Sequence, residues 1–334
     1  MSTPGGFDGL GQPEGRSVSV SKGRLRVLVA TDRIGALDSL AAGTALARGF
    51  ADHATVAVVP LAAGGPDLAA AVAALTGAEA EVDRDRWCVR TSTLALFGQR
   101  DTDPDSAGFG RWVAAGVGDA HRVVLDLTGL GAADGGAGLL EEARDALAGR
   151  DVIGIVDAED LDLPATGINS GHAKRAYAAG ADIADVLAAD ARLRAWAESL
   201  GEGLATRAGG GAAGGVALAV LGLNGRIVTG QHYCHELASL GQTMAASDLV
   251  VTGTTSIGAL ERGGPVVAQV AAWAGEALRP CLAFTTGDAL SRRELRTFGI
   301  EAAYSLDPDP SSEQLTALAA RVASGWAGGA AADA

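Results

Sequence analysis

Lysine is nearly missing from this chain: Lys22 and Lys174 are the only two among 334 residues. The formal net charge is −14 and no basic stripe stands anywhere, which excludes nucleic acid and an anionic membrane surface as expected partners. The same shortage bears on catalysis, because an enzyme that handles phosphate uses fixed cations near the transferring group. Cysteine is scarce too. Cys88, Cys234 and Cys281 are odd in number and far apart, so they read as free thiols in a reducing compartment. No apolar run reaches ~18 residues, so no segment is expected to span a membrane. Residues 1–22 lack the basic start and apolar block of a signal peptide, and their Gly, Pro and Ser content predicts a disordered tail. The expected location is cytoplasmic. Aromatic residues make up only 4% against 48% hydrophobic overall, so the core is expected to be Ala, Val and Leu.

Glycine is abundant, and its placement is informative. The run Val123-Val124-Leu125 has the length and β-branching of a buried strand. It leads into a loop holding Gly129, Gly131, Gly135, Gly136 and Gly138, ahead of a helix expected over Leu139–Leu147. Glycine allows positive φ and close approach of a ligand to the main chain, and a following helix N-terminus aims N–H groups at an anion. Asp134 is the one ionisable side chain of that loop, hence the candidate for metal or acid/base chemistry. The same composition also suits an ordinary strand-to-helix turn. A second cluster, Gly209, Gly210, Gly211, Gly214 and Gly215, precedes the apolar run Val216–Leu221 and reads either as another anion cradle or as a hinge or close-packing element.

Taken in order, Arg26–Ala30 reads as a strand, Asp32-Arg33-Ile34-Gly35 as its loop and Ser39–Phe50 as a helix capped by Ser39. Thr55–Pro60 is the next strand. Its loop contains Gly64 and Gly65, and Pro66 suits the first turn of the helix after it. This rhythm indicates a parallel α/β sheet with ligands at the loops after the strand ends. Glu81–Arg90 alternates like an edge strand, residues 98–110 are polar, residues 158–171 irregular, and Ile183–Leu200 an amphipathic helix. His232 and His235 share a helix face with Glu236 nearby, but no matching ligand pair stands elsewhere, so a structural metal is not expected there. Strands at Asp248–Thr252, Cys281–Thr285 and Ala302–Leu306 then alternate with helices at Pro265–Leu278, Ser291–Phe298 and Ser311–Ser324.

The order of these loops resembles the bacterial glycerate kinase family from about Arg24 to Ser324. Val59-Pro60-Leu61-Ala62-Ala63-Gly64-Gly65 is similar to the family's second-strand loop. Asp134-Gly135-Gly136-Ala137-Gly138 resembles its Asn-Asp-Gly-Gly-Ala-Gly element, and Gly209–Gly215 its Gly-Ala-Gly-Ala-Ala-Gly-Gly run. Ala246–Gly253 resembles its Ala-Asp-Leu-Val-Ile-Thr-Gly strand, which brings in Thr252 and Gly253. The resemblance implies a flavodoxin-like parallel sheet domain (23–80 plus 245–326) carrying an inserted swivelling α/β domain (81–244), with 327–334 a loose tail. It implies a cleft between the two that binds ATP, Mg²⁺ and a small organic acid such as D-glycerate. Asp134 then holds Mg²⁺ or takes the substrate hydroxyl proton, Asp32 and Arg33 complete the catalytic set, and the glycines bind anionic groups.

The sequence departs from the family at several charged positions. The family's Asp-Ser-Phe-Lys-Gly loop is Asp32-Arg33-Ile34-Gly35, without its lysine, and its Thr-Gly-Glu-Gly-Arg-Leu-Asp loop is Thr252–Gly258, without its Glu, Arg and Asp. A member that binds a small anion without turning it over is therefore the alternative reading.

Overall fold

The computed structural model describes residues 24–258, 264–288 and 290–332, so the tail expected at 1–22 lies outside the described residues. Two short β-branched runs begin the chain as β1 (Leu25–Thr31) and β2 (Ala54–Pro60). They are followed by β3 (Ala80–Asp83), β4 (Arg86–Arg90), β5 (Leu94–Gln99), β6 (Arg122–Asp126), β7 (Asp151–Ile155) and β8 (Arg226–Val228). The last third supplies β9 (Leu249–Gly253), β10 (Ser256–Ile257), β11 (Cys281–Thr285), β12 (Gly287–Asp288) and β13 (Ala302–Ser305).

These strands form two main sheets. The first has the order β13-β11-β9-β1-β2 and is parallel throughout. The second has the order β3-β4-β5-β6-β7-β8, antiparallel from β3 to β5 and parallel from β5 to β8. β10 and β12 form a two-residue parallel ladder between the loops after β9 and β11. The mixed α/β class expected from the sequence is the class found.

Strand alternation sorts the first sheet onto two apolar faces. Val27, Val29, Val251 and Phe284 pack with Leu46 and Phe50 of helix Ser39–Phe50 and with Leu315 and Ala319 of the closing helix. Leu28, Ala30, Val250 and Ala283 face the other way, onto helices Gly65–Thr76, Gly230–Leu237 and Pro265–Glu276. That second cluster continues without a break into Trp87, Val89, Leu94, Leu96, Val124 and Ile153 of the second sheet. The two sheets therefore share a core through the helix after β2 and the helix after β8. Covering both faces with helices is what permits an all-parallel sheet.

Local chemistry sets the helix ends. Asp38, not the expected Ser39, caps helix Ser39–Phe50, its carboxylate accepting from the Ala41 N–H at 2.8 Å. Pro66 sits in the first turn of Gly65–Thr76 as expected, and Ser291 with Glu294 forms a capping box. Three boundaries differ from expectation. The Glu81–Arg90 segment is a hairpin, β3 to β4, broken at Arg84, which takes a positive φ of 43°. Helix Gly171–Ala178 follows the irregular stretch, capped by Ser170, where sequence periodicity gave no signal. The closing helix runs from Ser312 to Ala332, so residues 327–332 are helical and not a loose tail.

Candidate functional site

In an open parallel sheet the ligand crevice forms where successive connections leave a strand pair in opposite directions across the faces. Here that point lies between β1 and β9. The connection after β1 packs helix Ser39–Phe50 on one face, while the connection after β9 packs helix Pro265–Glu276 on the other. The loops at the carboxyl ends of β1 and β9 are stitched together directly: the Asp32 N–H donates to the Gly253 carbonyl at 3.1 Å, and the Thr31 hydroxyl donates to the same oxygen at 3.2 Å.

Asp32 is the best-placed titratable group of this crevice. Strand alternation directs it to the face of Leu28 and Ala30, the side shared by the two sheets. Burial pushes its carboxyl up to about 6, opposed by the hydrogen bond from the Arg33 N–H and reinforced by the nearby charge of Asp67. The Arg33 N–H reaches Asp32 Oδ1 at 2.8 Å. The Arg33 guanidinium reaches Asp67 Oδ2 at 3.3 Å and folds back onto the Gly35 carbonyl at 3.2–3.3 Å. Two buried polar atoms on helices and strands around this face have no hydrogen-bond partner among the described residues, Thr252 Oγ1 and Gln231 Oε1. Buried polar atoms are usually satisfied, so such a pair marks a place where a hydrogen bond is still to be made.

The second sheet reaches the crevice through Asp126, the last residue of β6. It is fully buried, and burial pushes its carboxyl up. Four donors counter that: Gly65 N–H at 2.7 Å, Trp87 Nε1–H at 3.0 Å, Thr128 N–H at 3.1 Å and the Thr128 hydroxyl at 2.7 Å. Asp126 thereby pins the turn after β2 to the loop after β6. Asp157, after β7, is pushed up to about 6, first by burial and then by the neighbouring charges of Asp160, Asp126 and Glu159. Sequence reading missed Asp67, Asp126 and Asp157. Asp126 lay inside an apolar strand run, and a single carboxylate ending such a run was the one signal that could have found it.

Asp134 is differently occupied. Its Oδ1 accepts from the Gly136 N–H at 2.9 Å, and its Oδ2 accepts from the Ser106 N–H, the Ser106 hydroxyl and the Gly138 N–H at 2.8–2.9 Å. Oδ2 takes three donors and Oδ1 one, and these bonds tie Asp134 to Ser106 and to the first turn of helix Ala137–Leu147. The contacts of Asp134 and those of Asp32 share no residue.

The glycine loops are also occupied. A Cβ at Gly129 or Gly131 would press on the backbone of 99–102, and one at Gly138 on Ala107. At Gly135 it would meet Leu193 and Trp196, and at Gly136 the Val216 carbonyl and Ala219. At Gly211 and Gly214 it would stand on the carbonyl oxygens of Pro164 and Ala132, while Gly209, Gly210 and Gly215 meet Leu161, Arg207 and Gly135. These glycines let chain approach chain. Gly253 meets Ile34, Thr31 and Phe284, and Gly64 meets the Thr128 side chain. Gly65 alone of the set, at φ +72°, has open space among the described residues where a Cβ would stand.

Comparison with known proteins places this architecture. A model of the glycerate kinase family matches residues 146–325. Two uncharacterized proteins, one of Mycobacterium bovis and one of Mycobacterium tuberculosis, are each 32% identical over 236 residues, 66% of this chain and 61% of theirs. This chain thus spans less than two thirds of the length of those relatives. The crystal structure of a protein of Salmonella typhimurium LT2, provisionally named glycerate kinase 2, superposes with a TM-score of 0.73 at 19% identity, over 92% of this chain and 99% of that one. Among the described residues no helix is long and apolar enough to cross a membrane.

Proposed function

This chain belongs to the glycerate kinase family, and from that premise we propose that the crevice between β1 and β9 transfers a phosphoryl group to the hydroxyl of D-glycerate or a similar small hydroxy acid. The observation that carries the reading is Asp32: an enclosed carboxylate at the switch point, raised to about 6 and with Oδ2 uncommitted among the described residues. A general base works best when its pKa lies near the operating pH. Asp32 takes the substrate hydroxyl proton on Oδ2, while the Arg33 N–H holds Oδ1 and fixes the carboxylate plane. Thr252 Oγ1 and Gln231 Oε1 offer the unmade hydrogen bonds that orient a hydroxylated ligand once the crevice admits it.

The family implies ATP and Mg²⁺ as partners. Mg²⁺ is usually held by one or two carboxylates and completed by phosphate oxygens and water. Asp67 beside Asp32 fits that demand. Among the described residues no group of three or more His, Cys, Asp or Glu side chains is placed to hold a metal ion, so the ion would arrive with the nucleotide. A magnesium ion held there would supply charge neutralisation for the phosphates. The chain's own cation at this point is Arg33, already engaged by Asp67 and the Gly35 carbonyl. With so little fixed positive charge, turnover is expected below the ~1–100 s⁻¹ of typical kinases.

That engagement of Arg33 also favours a second reading, a member that binds the acid and does not turn it over. A coupled assay with Mg²⁺-ATP and D-glycerate separates the two. Slow turnover abolished by Asp32→Asn supports the kinase. Saturable glycerate binding in calorimetry with no turnover gives the binding protein, and turnover indifferent to Asp32→Asn overturns the assignment of Asp32.

A further inference from the structure

Among the described residues seven large apolar side chains are exposed, and four of them gather around helix Ile183–Leu200. Ile168 is 76% exposed, Tyr177 44%, Ile183 62% and Leu187 58%. Tyr177 lies in the last turn of helix Gly171–Ala178, and Ile183 opens the next helix after a short turn. The Gly167 N–H donates to the Asp190 carboxylate, which holds Ile168 beside that helix. The other three, Leu40, Val82 and Leu278, stand singly on separate elements. Single exposed apolar residues are ordinary, whereas a group of them marks an interaction surface.

Helix Ile183–Leu200 turns Val186, Leu193 and Ala197 inward. At 3.6 residues per turn, its opposite side carries Ala184, Ala188, Ala191 and Ala195, all exposed. Ile183 and Leu187 border that stripe on one side. Asp185 and Arg192 border it on the other. Neither charged side chain has an ion pair or hydrogen bond among the described residues, whereas Arg194 pairs with Asp190. The free charges of that border are therefore sorted along the helix, the acid toward its start and the base two turns on.

We propose that this face docks a second copy of the chain, with the two helices Ile183–Leu200 antiparallel across a two-fold axis. In an antiparallel helix pair each border meets its own image, reversed end for end. Asp185 of one copy then stands beside Arg192 of the other, and the two-fold axis repeats the pair. A parallel pairing would set this border against Ile183 and Leu187 and leave both charges unmatched. The alanines let the helix axes approach closely, and Ile183 and Leu187, with Tyr177 and Ile168 outside them, supply apolar surface to bury. None of these residues belongs to the crevice, so the inference does not depend on the phosphotransfer reading.

The test is sedimentation velocity of the full chain over a dilution series, in which a monomer–dimer equilibrium is expected. Ala191→Glu puts a charge into the apolar stripe and should weaken the dimer ten-fold or more. Asp185→Arg alone and Arg192→Asp alone should each weaken it as well, because like charges then meet across the axis. Asp185→Arg combined with Arg192→Asp should restore association, because the exchanged charges match again. All three positions are exposed, so circular dichroism should be unchanged. Should Ala191→Glu fail to fold, Leu187→Glu takes its place with the same expected weakening. A chain that stays monomeric throughout the series overturns the proposal and leaves the patch to a different protein or to another part of the same chain. A dimer unmoved by Ala191→Glu forms through another surface and overturns it too. Failure of the double exchange to recover what the single exchanges lose overturns the antiparallel arrangement.

Discussion

The turn after β2 and the run 209–215 are both glycine-rich, both precede helices, and do opposite things. At Gly65 a Cβ would find nothing within 4 Å, and the residue sits at the rim of the crevice with its N–H on Asp126. At Gly211 and Gly214 the missing Cβ is filled by the carbonyl oxygens of Pro164 and Ala132. A glycine cluster announces that something approaches the backbone closely. Whether that partner is a ligand or another stretch of the same chain depends on tertiary packing. The longest glycine runs of this protein are packing elements, and the shortest one borders the site.

Substitution at Gly214 tests the comparison most severely. Its φ is +68°, so Gly214→Ala adds backbone strain to a clash with a carbonyl that cannot rotate away. We expect a loss of about 3–5 kcal/mol, or failure to fold, in urea denaturation. Gly180→Ala is the control. Its φ is +76° but it has no neighbour within 4 Å, so only the strain of about 1–2 kcal/mol remains. Equal costs at the two positions would show that Gly214 is not a packing glycine.

Next in size is Asp126→Asn, which sharpens what joins the two regions. The carboxylate accepts from four donors, two of them on the turn after β2 and on β4. An amide has one oxygen and turns an NH₂ toward donors, leaving a buried N–H or hydroxyl unpaired. A loss of about 2–4 kcal/mol is expected in the same denaturation experiment. A loss under about 0.5 kcal/mol would mean that the link between the sheets rests on apolar packing alone.

Much of the fold was legible because it rests on local pattern. β1, β2, β9, β11 and β13 alternate with helices at the spacing of a parallel sheet, and Pro66 and Ser291 mark helix starts as read. The hairpin at Arg84 was hidden because β3 and β4 alternate in one continuous phase, and the turn uses a residue type that carries no turn signal. Asp32 and Arg33 were found because they follow a strand in a short polar loop. Asp134 was found by the same rule, and four donors hold it, two of them from Ser106, 28 residues earlier. Asp126, Gln231 and the pairing of Arg33 with Asp67 depend on contacts between distant segments, which no single-sequence pattern encodes.

Gly65→Ala carries the comparison to its other side. The φ of +72° costs about 1–2 kcal/mol in a residue with a side chain, and the open surroundings add nothing. Stability is expected to fall by that amount and no more. If the unfolding cost matches that of Gly214→Ala, the difference between an open and a filled glycine is lost.

The smallest expected stability effect belongs to Asp32→Asn, and its sign is the informative part. The Asp32 carboxyl is raised to about 6 in the folded protein, against an ordinary value of 3.8, chiefly by burial. The folded state therefore binds more protons than the unfolded state between about pH 4 and 6, so this group's contribution to stability falls as pH rises through that window. Above pH 6 the penalty is fully present, and below pH 4 it is absent. Asparagine keeps an acceptor for the Arg33 N–H and removes the charge. Asp32→Asn should thus raise stability at pH 7–8 by about 1 kcal/mol, or roughly 2–4 °C in Tm, with the gain vanishing near pH 4. Any phosphotransfer should meanwhile be lost, because the carboxylate proposed as the base is gone. Gain of stability with loss of activity is the mark of a residue kept for chemistry, whereas Gly214→Ala should lose both. A thermal melt series across pH 4–8 decides the matter. A gain that persists at pH 4, or a Tm lowered at pH 8, would show that Asp32 serves the fold and not the site.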